Sequence, residues 1–80
     1  MYHVYVIKSI STGKTYIGHT DKLQERLSQH KDGSNKATKF AHDWNLVHTE
    51  EYFTRSLAMK RESYLKSGDG KRVLKLKGVV

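Results

Sequence analysis

Five polar side chains in this chain have the types and the order to act on a phosphate ester: Tyr5, Tyr16, Arg26, His30 and Glu62. Cutting a phosphodiester needs a base for the attacking water and a cation for the charge on the phosphoryl oxygens. It also needs a metal ion to polarise the phosphate or the leaving oxygen, and groups that hold the parts in place. A phenol, a guanidinium, an imidazole and a carboxylate holding Mg²⁺ or Mn²⁺ can supply these together. With an ordinary pKa of about 10, a Tyr hydroxyl is a poor base. It becomes a useful one only beside a cation, a metal-bound water or a His that takes its proton.

Those residues need elements to position them. Residues 2–8 alternate as a strand does, with Tyr2, Val4 and Val6 on one face and His3, Tyr5 and Ile7 on the other. Turn-forming residues 9–13 follow, and Lys14–Gly18 resumes as a second strand, making a hairpin. Pairing residues whose numbers sum to 21 would set Tyr5 opposite Tyr16, a register the sequence does not dictate. Thr20 or Asp21 can cap a helix over Lys22–Lys31, which Gly33 ends. Leu23 and Leu27 mark its buried stripe, and Arg26 and His30 share that side. A short helix is expected around Ala37–His42, then a third strand from the core residue Trp44 to Phe53.

Thr54 can cap a second helix, Arg55–Ser67, stopped by Gly68 and Gly70. Leu57, Ala58, Tyr64 and Leu65 form its expected apolar side, and Glu62 flanks that stripe. The segment 71–77 reads equally as helix or strand. There is no internal repeat, low-complexity tract or linker, so residues 1–80 are expected to form one α/β (α+β) domain.

His3-Val4-Tyr5, a turn, and then Tyr16-Ile17-Gly18 resemble the two-part signature of the GIY-YIG nucleases. Arg26 with His30 is similar to that family's helix motif, and Ala58, Arg61 and Glu62 leading into Tyr64–Gly68 are similar to its metal-binding Glu segment. Any one triplet is weak evidence, but four motifs in order at fitting intervals are specific. The resemblance spans residues 2–75 and is strongest to small stand-alone members related to the N-terminal nuclease domain of the bacterial excision-repair nuclease.

It implies a three-stranded antiparallel sheet flanked by helices and an endonuclease that hydrolyses DNA, in repair or recombination. Tyr5 would be the general base or its partner, and Tyr16 would orient the water or the phosphate. Arg26 would stabilise phosphoryl charge, His30 would assist proton movement, and Glu62 would bind Mg²⁺ or Mn²⁺. His3 and Val4 stand where the first motif has Gly and Ile, and no Asn follows Asn45, whereas some family enzymes use an Asn beyond the Glu.

The charge balance suits a polyanion. The net charge is +7, and residues 55–80 carry eight cations against Glu62 and Asp69 alone. A basic surface of this kind attracts nucleic acid by Coulomb attraction and counterion release. The candidate nucleic-acid contacts are Lys14, Arg61, Lys66, Lys71 and Arg72. DNA, branched or damaged forms included, is the expected partner, with RNA as the other polyanion and an acidic protein as a third choice. The chain has no Cys, so neither a disulfide nor a thiolate zinc site can staple it. The N-terminus lacks a signal-peptide pattern and no apolar run could span a bilayer, so a cytoplasmic protein without membrane contact is expected.

Each residue also has an ordinary explanation. Tyr5 and Tyr16 could be cross-strand aromatics, Arg26 a cover for Leu27, and His30 a satisfied surface His. Glu62 could form a helix ion pair worth about 0.3–0.5 kcal/mol. His42, His48, Glu50 and Glu51 form another possible metal set, of no strong ligand spacing. Two functions therefore stand side by side: a metal-dependent endonuclease, and a nucleic-acid-binding module of the same fold without useful catalysis.

Overall fold

The computed structural model describes residues 1–79. Its elements are β1 (Tyr2–Ser9), β2 (Thr15–Thr20), α1 (Leu23–Lys31), β3 (Trp44–Tyr52), α2 (Arg55–Lys66) and α3 (Gly68–Leu76). The strands form one antiparallel sheet in the order β2-β1-β3. This is the expected three-stranded α+β architecture, with β1 paired on both sides.

Helices and loop cover both faces of β1, so Val4, Tyr5, Val6 and Ile7 are all fully buried. Alternation then sorts them. Val4 and Val6 join Ile17, Ala58, Leu65 and Leu74 beneath α2 and α3. Tyr5 and Ile7 join Ala41 and Trp44 on the other face, with Tyr16, Leu23 and Leu27 packed against them. A chain of this size buries only about 60% of its unfolded surface, so two thin half-cores on one central strand use it economically.

Several expectations change. The hairpin register sums to 23 rather than 21: Tyr5 opposes Gly18, and Ile7 opposes Tyr16. The cause is the loop. Gly13, at φ 72°, donates to Ser9 O at 2.9 Å, and Ser9 donates to Lys14 O at 2.9 Å, closing the turn later in the chain than expected. A slip of two residues leaves every side chain on its expected face. Tyr5 and Tyr16 therefore remain neighbours along a diagonal, with ring centroids 6.3 Å apart.

Neither Thr20 nor Asp21 caps α1. Strand β2 runs on through Thr20, whose hydroxyl accepts from the N–H of Lys22, and Lys22 becomes the cap residue without a side-chain bond. Residues 36–40 form turns, not a helix: Asn35 Oδ1 takes the Ala37 N–H, and the loop makes three-residue closures from Thr38 N to Asn35 O and from Ala41 N to Thr38 O. Strand β3 stops at Tyr52, leaving Phe53 exposed.

Thr54 does cap α2, its hydroxyl accepting from Leu57 N–H at 3.2 Å. Leu57 and Tyr64 are exposed, and only Ala58 and Leu65 of the expected apolar side are buried. The glycines after α2 end one helix and begin another. Ser67 Oγ accepts from Gly70 N–H, and a Cβ at Gly70 would collide with the Tyr64 carbonyl oxygen. Glycine thus lets α3 start hard against the end of α2, and α3 seats Leu74 in the core. Residues 71–76 are helical.

Candidate active site

Strand β2 is an edge strand, and its open side faces no other strand. The sequence-predicted residues gather around it from three elements. Tyr5 and Tyr16 lie on the α1 face of the hairpin, His30 closes over them from the end of α1, and Glu62 reaches β2 from α2 on the opposite face.

The centre is a buried chain of hydrogen bonds. Tyr5 Oη and His30 Nε2 are 2.8 Å apart, and His30 Nδ1 and Thr38 Oγ1 are 2.7 Å apart. All three side chains are fully buried. The Tyr16 ring packs against both, with its centroid 5.0 Å from that of His30. His30 is therefore not a surface residue. It bridges the hairpin to the loop 34–43, and that loop is itself pinned by Trp44, whose Nε1–H donates to Thr38 O and Ala41 O.

Gly18 permits the arrangement. A Cβ there would sit 2.7 Å from Tyr5 Oη, so the glycine opposite Tyr5 makes room for the phenol.

Charge acts on this chain from both sides. Burial pushes the Tyr5 hydroxyl well above the usual tyrosine range, Tyr16 adds to it, Arg26 opposes it, and Glu62 adds a further upward push. Burial, and then the positive Arg26, lowers His30 below the ordinary histidine range. Both groups are thus neutral near pH 7, and Arg26 and Glu62 both bear on the phenol of Tyr5. Arg26 is half-buried at the side of α1.

The Glu62 carboxylate is held by His19 Nδ1 at 2.7 Å and by Lys66 Nζ at 2.8 Å. Burial raises its pKa, but the bonds from Lys66 and His19 outweigh burial and keep it below the ordinary glutamate value. It is an anion at neutral pH. Its i,i+4 bond to Lys66 is the ion pair expected from the helix spacing. The bond to His19 is the part that sequence reading missed.

Other predicted contacts scatter. Arg61 gives its guanidinium to Glu50 through Nε at 2.8 Å and Nη2 at 3.1 Å. Lys14 lies over the Phe40 ring, 5.2 Å from its centroid. Lys66 pairs with Glu62, whereas Lys71 and Arg72 line the exposed side of α3. Of the second possible metal set, Glu50 binds Arg61, His48 and Tyr52, and His42 Nδ1 meets the Lys31 carbonyl. Among the described residues no three His, Asp or Glu side chains cluster as a metal site.

Two contributors escaped the sequence reading, Thr38 and His19. Thr38 lies in a polar loop with no periodicity to flag it. His19 was legible in principle: it follows Gly18, and strand alternation puts it on the face opposite Tyr16, where α2 packs.

A family model for the GIY-YIG catalytic domain matches residues 1–75. The chain belongs to the GIY-YIG nuclease family. A UPF0213 protein of Halobacterium salinarum is 40% identical over 67 residues, covering 82% of this chain and 86% of the relative. A UPF0213 protein of Staphylococcus saprophyticus is 32% identical over 76 residues, covering 94% of this chain and 92% of the relative. The solution NMR structure of a UPF0213 protein from Bacillus halodurans has a TM-score of 0.58 and 29% identity, covering 98% of this chain and 87% of that one.

Proposed function

We propose that this protein is a metal-dependent endonuclease that hydrolyses phosphodiester bonds of DNA, acting as a single domain. The supporting observation is the buried Tyr5–His30–Thr38 chain, with Arg26 and Glu62 both acting on the same phenol. Ordinary core aromatics need no such polar continuation, and a surface salt bridge needs no neighbouring phenol.

Roles follow from the chemistry. His30 Nδ1–H donates to Thr38, which leaves the Nε2 lone pair facing Tyr5 and makes Tyr5 the donor in that bond. Tyr5 can then pass its proton to His30 and accept one from a water. Burial opposes the charge separation at both groups, so Arg26 is needed to stabilise the phenolate side. Arg26 also faces the negative charge that develops on the phosphoryl oxygens. Tyr16, partly exposed at the sheet edge beside the His30 ring, orients the water or the phosphate.

Glu62 is the residue that would hold Mg²⁺ or Mn²⁺. The fit is to the mode in which one or two carboxylates suffice and water or substrate phosphate completes the shell. An ionised, half-buried carboxylate meets that requirement, and His19 Nδ1 stands next to it. The ion would supply positive charge at the phosphate and cancel the upward push of Glu62 on Tyr5.

One observation favours a second reading, nucleic-acid binding without turnover. Both Glu62 oxygens are already engaged, by His19 and Lys66, and these must yield to a metal. A repair or recombination role accompanies the nuclease reading. No described helix is long and apolar enough to cross a membrane.

A nicking assay with Mg²⁺ or Mn²⁺ on duplex, branched and single-stranded DNA tests the proposal. Wild type should cut at least one substrate, and Arg26→Ala should fall by about 10²–10³-fold. Turnover on no substrate above the Arg26→Ala and Glu62→Ala backgrounds would leave only the binding module.

A further inference from the structure

We propose that the groove between β2 and α3 holds the phosphate backbone of DNA and leads it to Tyr16 from one side only. This rests on the nucleic-acid reading above but not on catalysis.

Three hollows of about 300, 390 and 360 Å³ share walls there, and Lys71 lines all of them. Their cations are Lys8, Lys66, Lys71, Arg72 and Lys75, and no carboxylate lines any of the three. The middle hollow opens at Tyr16. Helix spacing explains the row: Gly68, Lys71, Arg72 and Lys75 stand three, four and seven residues along one side of α3, opposite buried Gly70 and Leu74. Lys71 and Lys75 are one turn apart, about 6 Å along the axis. From the sheet, Lys8 faces the same groove, paired with Thr15. Among the described residues, Lys66 alone of these five cations has an acidic partner.

The opposite side of the site is different. Beside Arg26 is a hollow of about 80 Å³, in which Asp21 and Glu25 offset Lys22 and Arg26. A phosphate chain meets attraction along α3 and near-neutrality beyond α1. The largest hollow, about 600 Å³ on the outer side of α2, is lined by none of the candidate catalytic residues. DNA held in the β2–α3 groove therefore presents the bond near Tyr16 at one end of the contacted segment.

The test compares two variants that lose equal charge: Lys8→Gln with Lys71→Gln and Lys75→Gln, and Lys31→Gln with Lys36→Gln and Lys60→Gln. All six lysines are on the surface. Binding of a fluorescent DNA duplex is measured across a salt series in chelator, so that no cutting occurs. The groove variant should lose about 2–3 from the slope of log affinity against log salt, the value for three released phosphate contacts, with little change in the control. Equal losses in both variants, or no loss in the groove variant, would overturn the groove. Groove-dependent binding by a wild type that never cuts would sink the endonuclease reading and leave this one standing.

Discussion

Two carboxylates lie where α2 meets the sheet, and they do opposite things. Glu50, on β3, accepts both bonds of the Arg61 guanidinium, one from Tyr52 and one shared with His48. Burial works against its charge, but the bonds from Arg61, His48 and Tyr52 hold its pKa down at about 2. Glu62, at the β2 edge, has only His19 and the exposed Lys66. Arg61 and Glu62 are neighbours in sequence, yet one turns to β3 and the other to β2. The carboxylate with every lone pair engaged by rigid partners ties helix to sheet. The one with exchangeable partners is available for a cation.

Glu62→Gln should break the comparison most sharply. Cleavage should fall by about 10²–10³-fold, the cost of losing one electrostatic contributor. Unfolding stability should change by less than about 1 kcal/mol, because the Lys66 pair is solvent-screened. Urea unfolding and nicking rates on the same preparation check both. A large stability loss would make Glu62 a second structural anchor.

Glu50→Gln should do the reverse, costing about 2–3 kcal/mol of stability by leaving Arg61 without its partner while the rate per folded molecule holds. The same bond sets an acid limit. The Glu50 pKa is depressed in the fold, so its stabilisation is complete above the unfolded value of 4.5 and is lost as pH falls towards about 2. Wild type should lose stability through that window faster than Glu50→Gln, in urea titrations at stepped pH. Parallel curves would assign acid sensitivity elsewhere.

The smallest effect sharpens the site itself. Thr38→Val removes the partner of His30 Nδ1 and should cost about 1–2 kcal/mol, the penalty for an unsatisfied buried polar group. It should also change the His30 tautomer seen by nitrogen NMR, while Thr38→Ser restores it. An unchanged tautomer in the Val variant would remove Thr38 from the proton chain.

Much of this was legible in one dimension. Alternation in residues 2–8 assigned Val4 and Val6 to one face and Tyr5 and Ile7 to the other, because side chains on a strand repeat every two residues. Spacing along α1 set Arg26 and His30 on the side of Leu23 and Leu27, because a helix repeats every 3.6 residues. The order Tyr5, Tyr16, Arg26, His30, Glu62 pointed to phosphate chemistry. The positive last third pointed to a polyanion. All of these are local properties or sums over the chain, which sequence carries directly.

The tertiary structure decided what depends on residues far apart in the chain. The Gly13 loop chose the hairpin register and placed Gly18, not Tyr16, opposite Tyr5. Trp44 drew an irregular loop inward and delivered Thr38 to His30. The central position of β1 sent adjacent Arg61 and Glu62 to opposite strands. Close approach at Gly70 laid α3 along β2 and turned a helical stripe of cations into one wall of a groove. Periodicity says which way a side chain faces. Its partner is set by strand order and loop closure, which no local pattern records.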